Sequence, residues 1–291
     1  MTHISDLLAA GRTFSFEFFP PKNDAEQATL VATLRDLEPL RPAFVSVTYR
    51  GGRSSRQRTH DLVAGMLRTT TLNPMAHLTC VVHTRLELAE ILVDLRKAGV
   101  DNVLALGGDP PPDAIEAGHA ELTHAIELVE LAKAIGGFSI GVAAHPELHP
   151  SSGGDRAFDR RHLVAKMALA DFAITQFFFR PGDYLSLVDD LDRLGMHKPM
   201  IAGIMPITSL SSVQRMAMLS GCEVPPEVVS RVEAFGDSPD DVRRVGVELA
   251  TELCRDLLDA GVPGLHFYTL NRSTATREIY ANLGLMPVAS G

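Results

Sequence analysis

What most constrains this chain is a texture that changes eight times. Short runs rich in β-branched and aromatic residues occur at 13–19 (TFSFEFF), 44–49 (FVSVTY), 75–82 (MAHLTCVV) and 102–108 (NVLALGG). They recur at 138–144 (FSIGVAA), 172–179 (FAITQFFF), 199–205 (PMIAGIM) and 264–270 (GLHFYTL). Between them, apolar residues fall at three- and four-residue spacing, the period of a helix with one buried face. Leu30, Leu34 and Leu37 share such a face behind a cap at Asn23 or Asp24. Thr84 followed by Glu87, with a stop at Gly99, brackets another helix.

Strand–helix alternation repeated eight times over 291 residues predicts an α/β fold, a (β/α)8 TIM barrel, as one domain over residues 1–291. An open doubly wound sheet would show a glycine fingerprint after its first strand, but here Pro20, Pro21 and Lys22 follow. Residues 206–263 hold more helix than one crossover needs, which predicts an extra helix near 225–235, between strands seven and eight.

A net charge of −9 argues against nucleic acid as a partner, because a phosphate backbone demands a basic surface. Cys80, Cys222 and Cys254 form no CxxC pair, so neither a disulfide framework nor a cysteine zinc site is indicated. His145 and His149 stand at i,i+4, but Pro146 and Pro150 break any helix there, so no metal site is expected. No run approaches membrane-spanning length and the N-terminus lacks the pattern of a secretion signal. A cytoplasmic protein is expected.

In a (β/α)8 barrel the chemistry sits at the C-terminal ends of the strands. Polar residues expected there are Glu17, Thr48, Tyr49, His77, Thr79, Asp109, His145, Gln176 and the run Tyr268 to Asn271. Glu17 alternates with Phe16 and Phe18, so it faces the opposite side of its strand. An inward carboxyl beside aromatic rings favours its protonated form and suits a general acid; a structural partner for an arginine is the plainer alternative. Asp109 follows Gly107 and Gly108, which permit a tight turn or close approach to a ligand; alone it would read as a turn aspartate. Gln176 interrupts a core-like strand, where a buried amide needs either backbone partners or a ligand with amide-like edges. Arg50, Arg53, Arg56 and Arg58 sit amid small residues, as a solvated loop or as a clamp for a phosphate or carboxylate.

The strings FSFEFFPPK, FVSVTY, HLTC, GGDPP, PELHP, AITQFFF and HFYTLNR, in that order, resemble the methylenetetrahydrofolate reductase family over nearly the whole chain. The resemblance implies a cytoplasmic oxidoreductase of one-carbon metabolism, serving methionine biosynthesis. Such an enzyme reduces 5,10-methylenetetrahydrofolate to 5-methyltetrahydrofolate with NADH or NADPH, and FAD is the family default. It implies that Glu17 protonates N10, that Asp109 favours the N5 iminium cation, and that Gln176, Leu210 and Arg272 contact the folate. Thr48, Tyr49, His77, Gly108, His145, His149, Asp159, His162 and Lys166 match positions lining the flavin and nicotinamide region.

The departures gather on the flavin side. Gly107 stands where the family often has Arg, His145 where a tyrosine is common, and His162 where an Arg meets the flavin phosphates. Lys166 lies one residue closer to Gln176 than is usual, and Leu210 replaces an aromatic. Each hydrogen bond to a charged group contributes about 1.5–3 kcal/mol, so losing these cations implies weak or absent FAD and hydride passing directly from NAD(P)H. A flavin-dependent reductase and a non-catalytic folate-binding barrel are the alternatives.

Overall fold

In the computed structural model, residues 1–49, 53–108, 120–235 and 238–287 are described, the side chains of 53–56 excepted. Eight parallel strands close on one another in chain order: β1 (Thr13–Phe18), β2 (Phe44–Val47), β3 (Pro74–Thr79), β4 (Asn102–Leu106), β5 (Ser139–Ala144), β6 (Phe172–Thr175), β7 (Met200–Ile204) and β8 (Gly264–Tyr268). The closing register pairs Ser15 with His266 and Glu17 with Tyr268, while Glu17 meets Ser46 on β2.

The sequence periods map onto two concentric cores. Inward positions Phe44, Met75, Leu104, Phe172, Ile174 and Ile201 fill the barrel. The alternate positions, Phe16, Phe18, Val45, Val47, Ala76 and Leu78 among them, face outward and pack under the helices. Burying a side chain such as Phe16 or Leu30, both fully enclosed, contributes about 1.5–3 kcal/mol. Below the barrel, α1 (Ile4–Ala10) inserts Ile4 and Leu8 into the inner core. Its first turn is held by the Asn102 and Ser139 side chains, at 3.0 Å each, where β4 and β5 begin.

The outer helices begin and end on the residues that local chemistry requires. Asn23 caps α2 (Asp24–Leu37), Thr84 and Glu87 form a capping box on α4 (Arg85–Lys97), and α3 (Arg53–Thr69) lies between them. Next come α5 (Ala125–Ile135), α6 (Arg156–Leu169), capped by Asp155, and α7 (Pro181–Arg193). Three helices separate β7 from β8: α8 (Leu210–Ser220), α9 (Pro226–Glu233) and α10 (Pro239–Asp259). The expected extra helix is α9. With α8 and α10 it builds a third apolar cluster, including Phe177, Met205, Ile207, Val213 and Val232, beyond the ends of β6 and β7. The helix α11 (Thr274–Asn282) seats Tyr280 against Phe14, Phe16 and Phe267.

Several strands are shorter than their sequence texture. β2 stops at Val47 and β3 at Thr79, so Thr48, Tyr49, Cys80 and Val82 belong to the loops. β6 ends at Thr175, which places Gln176 just past the strand rather than inside it. The apolar run continues to Phe178 because Phe177 packs under α8–α10 and Phe178 stacks on Tyr184.

Candidate active site

At the C-terminal end of β1, Glu17 points into the barrel and is 6% exposed. Three neighbouring strands direct polar groups at its Oε2: Ser46 Oγ from β2 at 3.4 Å, His77 Nε2 from β3 at 3.5 Å and His266 Nε2 from β8 at 3.7 Å. This convergence follows from strand alternation, since each of these residues takes an inward position on its strand, Ser46 in register with Glu17 and His266 two residues before the Tyr268 that pairs with it. Burial pushes the His77 imidazole down to about 4, against the pull of the Glu17 charge and with help from His266. His77 is therefore neutral at neutral pH.

The network continues beneath Glu17. His266 Nε2 lies 3.2 Å from Ser46 Oγ and its Nδ1 lies 2.8 Å from Ser15 Oγ, while the ring stacks on Phe44 at 5.8 Å. Above it, Tyr268 donates to the Thr175 carbonyl at 2.7 Å across β7. Burial first, then the charge of Glu17, raises its phenol well above the usual range. Gly203 makes that crossing feasible: a Cβ there would fall 2.3 Å from the Thr175 carbonyl and 2.8 Å from the tyrosine ring.

The loop after β8 locks the acid's backbone. Thr269 donates to the Glu17 carbonyl at 2.6 Å. Asn271 accepts from the Phe19 N–H at 2.8 Å and donates to the Phe19 carbonyl at 2.9 Å. Leu270 and Asn271 both adopt left-handed backbone, with φ of 52° and 55°. Such conformations cost energy in non-glycine residues and persist where surrounding bonds fix them. Arg272, next in line, is exposed.

The other expected residues occupy the rim. Thr48 and Thr79 are buried, and each Oγ1 lacks a hydrogen-bond partner among the described residues. Tyr49 bonds to His83. Gly108 has φ +84°, and a Cβ there would meet Val81 at 2.6 Å and Thr79 at 2.9 Å, so the backbone turns where only glycine fits. Gln176 is half-buried and its Oε1 accepts from the Phe177 N–H at 3.0 Å. Leu210 opens α8 at the edge of the third cluster. Asp109, Arg50 and the side chains of Arg53 and Arg56 lie outside the described residues, and Arg58 is exposed.

The β5–α6 side is built differently. Arg160 donates to Asp159 at 2.7 Å, to Asp190 at 3.1 Å and to the carbonyls of His145 and Pro146. Asp159 also accepts the His149 N–H at 2.9 Å. His145 meets His149 edge-on at 4.6 Å, and burial, with nearby His149, Lys166 and Arg160, pushes it down to about 3. Lys166 donates to the Ala143 carbonyl at 2.6 Å, and burial lowers its ammonium to about 8. His162 pairs Nδ1 with the Phe158 carbonyl at 2.8 Å and packs on the Phe158 ring. Sequence reasoning missed Ser15, Ser46, His266 and Arg160. Ser15 and Ser46 carried a readable signal, namely polar residues at inward positions two before and directly across from Glu17.

Among the described residues no group of three or more His, Cys, Asp or Glu could hold a metal ion, and no helix is long and apolar enough to cross a membrane. Fold and site together define a (β/α)8 barrel enzyme with a buried carboxyl group, that of Glu17, facing into its mouth. The family model for methylenetetrahydrofolate reductase matches residues 3–284, and the chain belongs to that family of oxidoreductases. It is 36% identical over 274 residues to the 5,10-methylenetetrahydrofolate reductase of Pectobacterium carotovorum, covering 94% of this chain and 90% of that one. The Escherichia coli K12 enzyme of the same name is also 36% identical, with 94% and 91% covered. Methylenetetrahydrofolate reductase (NADH) 1 of Arabidopsis thaliana is 33% identical over 97% of this chain, which spans 50% of that protein. Among solved structures, a Clostridium thermocellum protein described as binding two copies of 5-methyl-5,6,7,8-tetrahydrofolic acid shares the fold. Its TM-score is 0.67 at 12% identity, with 97% and 96% of the chains covered.

Proposed function

We propose that this chain reduces 5,10-methylenetetrahydrofolate to 5-methyltetrahydrofolate, with Glu17 as the proton donor and NADH or NADPH as the direct hydride source. The observation that carries this reading is the enclosed Glu17 carboxyl, met at one oxygen by Ser46, His77 and His266 at the barrel's C-terminal end. Opening the imidazolidine ring breaks the bond between the methylene carbon and N10. The electron pair goes to N10, which takes the Glu17 proton, and N5 becomes an iminium cation. Hydride then adds to the methylene carbon to give the methyl group. A Glu17 carboxylate left beneath the cation stabilises it electrostatically, in a site that excludes water. Asp109 would add to that field, and the Gln176 amide and Arg272 would hold the folate.

On the FAD side, α6 and β5 carry the residues that would meet its phosphates. The basic groups expected beside its phosphates are engaged within the protein: Lys166 on the Ala143 carbonyl and His162 on the Phe158 carbonyl. Arg160, the buried guanidinium nearby, is bound by two aspartates and two carbonyls. Engaged in this way, these residues do not fit a pyrophosphate.

The purified protein tests both parts. Expected are oxidation of NADH or NADPH that depends on methylenetetrahydrofolate, and no flavin absorption in the visible spectrum. Stoichiometric bound flavin would overturn the direct-transfer reading, and failure to oxidise either nicotinamide would overturn the activity.

A further inference from the structure

Barrel packing alone does not account for the hydrogen-bonded line Ser15–His266–Ser46–Glu17. All four side chains are buried, with His266 1% exposed. Each ring nitrogen has one hydroxyl partner, Ser15 on Nδ1 at 2.8 Å and Ser46 on Nε2 at 3.2 Å. Ser46 also reaches Glu17 Oε2 at 3.4 Å, and Ser15 reaches the Leu265 carbonyl at 3.4 Å. A serine hydroxyl holds one proton, and so does a neutral imidazole, so donor and acceptor roles must alternate along the line.

Two alternations satisfy every member. With Glu17 ionised, Ser46 donates to Oε2 and accepts from Nε2–H, and the bare Nδ1 accepts from Ser15. With Glu17 protonated, its O–H donates to Ser46 and Ser46 donates to a bare Nε2. The ring proton is then on Nδ1 and donates to Ser15, whose hydroxyl turns to the Leu265 carbonyl. The second arrangement holds one more proton than the first, and it sits on Glu17; the other three are the same, with the imidazole proton on the opposite nitrogen. We propose that His266 is a positioning residue whose tautomer follows the protonation of Glu17, so that the acid keeps a complete set of hydrogen bonds before and after it gives up its proton. This proposal rests on the reading of Glu17 as the proton donor.

The Leu265 carbonyl gives the line a reason to end at Ser15. Among the described residues it is the carbonyl that the Ser15 hydroxyl reaches, at 3.4 Å, and it can take that hydroxyl once Nδ1 becomes a donor. Without it, protonating Glu17 would leave a buried donor unpaired, at a cost comparable to a lost hydrogen bond. Among the described residues, the other titratable groups facing Glu17 are His77 from β3, at 3.5 Å, and Tyr268 from β8. Neither belongs to the line. His77 is neutral above about pH 5 because burial holds it at about 4, and Tyr268 donates to Thr175.

The test uses the full chain labelled with 15N-histidine and long-range 1H–15N correlation, which distinguishes the two neutral tautomers and the imidazolium. His266 is assigned from the shift caused by Ser15→Ala. As acidification protonates Glu17, the ring proton of His266 is expected to pass from Nε2 to Nδ1, and in Glu17→Gln the tautomer is expected to be independent of pH. A fixed tautomer in the wild-type protein, or imidazolium formation in place of the exchange, overturns the proposal. In turnover, Ser15→Ala is expected to lower kcat about tenfold with KM for the folate unchanged and the alkaline limb of the pH profile, where the acid loses its proton, displaced. A loss of kcat with an unmoved profile would assign Ser15 a merely structural role and count against the relay. The spectroscopic arm needs no substrate. A fixed tautomer with Glu17→Gln inactive sinks the relay alone, whereas a coupled tautomer with Glu17→Gln active sinks Glu17 as the acid and leaves the coupling intact.

Discussion

The two sides of the barrel mouth treat their buried polar groups in opposite ways. On the β1–β3 side, Thr48 Oγ1, Thr79 Oγ1 and His77 Nε2 are buried without hydrogen-bond partners among the described residues, close to a carboxyl that meets several weak contacts at 3.4–3.7 Å. On the β5–α6 side, Asp159, Arg160 and Asp190 form a closed set of bonds of 2.7–3.1 Å, and Lys166 is tied to a strand carbonyl. A buried unpaired group costs about 1–3 kcal/mol, so the first side carries a stability burden that a bound substrate would relieve. The second side has closed on itself. On the proposed reading, the open side would hold the acid and the substrate while the β5–α6 side serves the fold.

The largest expected effect breaks the open side. Glu17→Gln keeps the shape but has no acidic proton to give, and kcat should fall by about 10²–10⁴ while folate binding stays within a few-fold. Steady-state kinetics with a direct binding measurement would check it, and near-normal turnover would remove Glu17 as the acid. On the closed side, Arg160→Ala should cost about 3–5 kcal/mol in denaturant unfolding, because it leaves Asp159 buried without its guanidinium. A loss below about 1 kcal/mol would show that this side is not held by its ion pairs.

Acid should separate the sides less sharply. Burial lowers His77 to about 4 and His145 to about 3, so the unfolded chain binds protons that the folded chain does not. Their contribution to stability is present above the unfolded value of about 6.5 and is lost as pH falls toward those folded values. For His77 alone, stability should drop by about 2 kcal/mol between about pH 7 and about pH 5, and His77→Gln should flatten that part of the curve. Denaturant midpoints at the two pH values, with and without the substitution, provide the measurement.

How far the sequence could reach follows from the range of each interaction. Strand alternation and helix period are local, so eight strands, the inward face of Glu17, the Thr84–Glu87 capping box and the helix near 225–235 were all readable. The plug α1 was not, because a helix of seven residues carries too little periodicity and its role depends on Asn102 and Ser139 far along the chain. Strand ends are overextended at Cys80–Val82 and Gln176–Phe178, where Cys80 and Phe178 stay apolar because they join the core under the helices and Phe177 because the third cluster buries it. His266 was read as part of an ordinary strand. Its meaning lies in its register, with Ser15 opposite and Ser46 one strand beyond, and barrel closure alone brings those together. The fate of Lys166 was equally nonlocal: only the packed position of α6 shows its ammonium bound to Ala143.

That lysine gives the smallest expected effect and the sharpest test of the contrast. Lys166→Met keeps the aliphatic stem and removes an ammonium that burial already disfavours, its value lowered to about 8. The lost hydrogen bond to Ala143 and the relieved desolvation act in opposite directions, so stability should change by less than about 1 kcal/mol. Because the folded ammonium releases its proton more readily than the unfolded one, wild-type stability should rise by about 2 kcal/mol between about pH 8 and about pH 10, and the variant should lack that rise. Turnover and KM for NADH should stay within about twofold, since nothing in the direct-transfer reading uses this side chain. A tenfold rise in KM would mean that Lys166 leaves Ala143 to meet a nucleotide phosphate, and the β5–α6 side would then belong to the binding site after all.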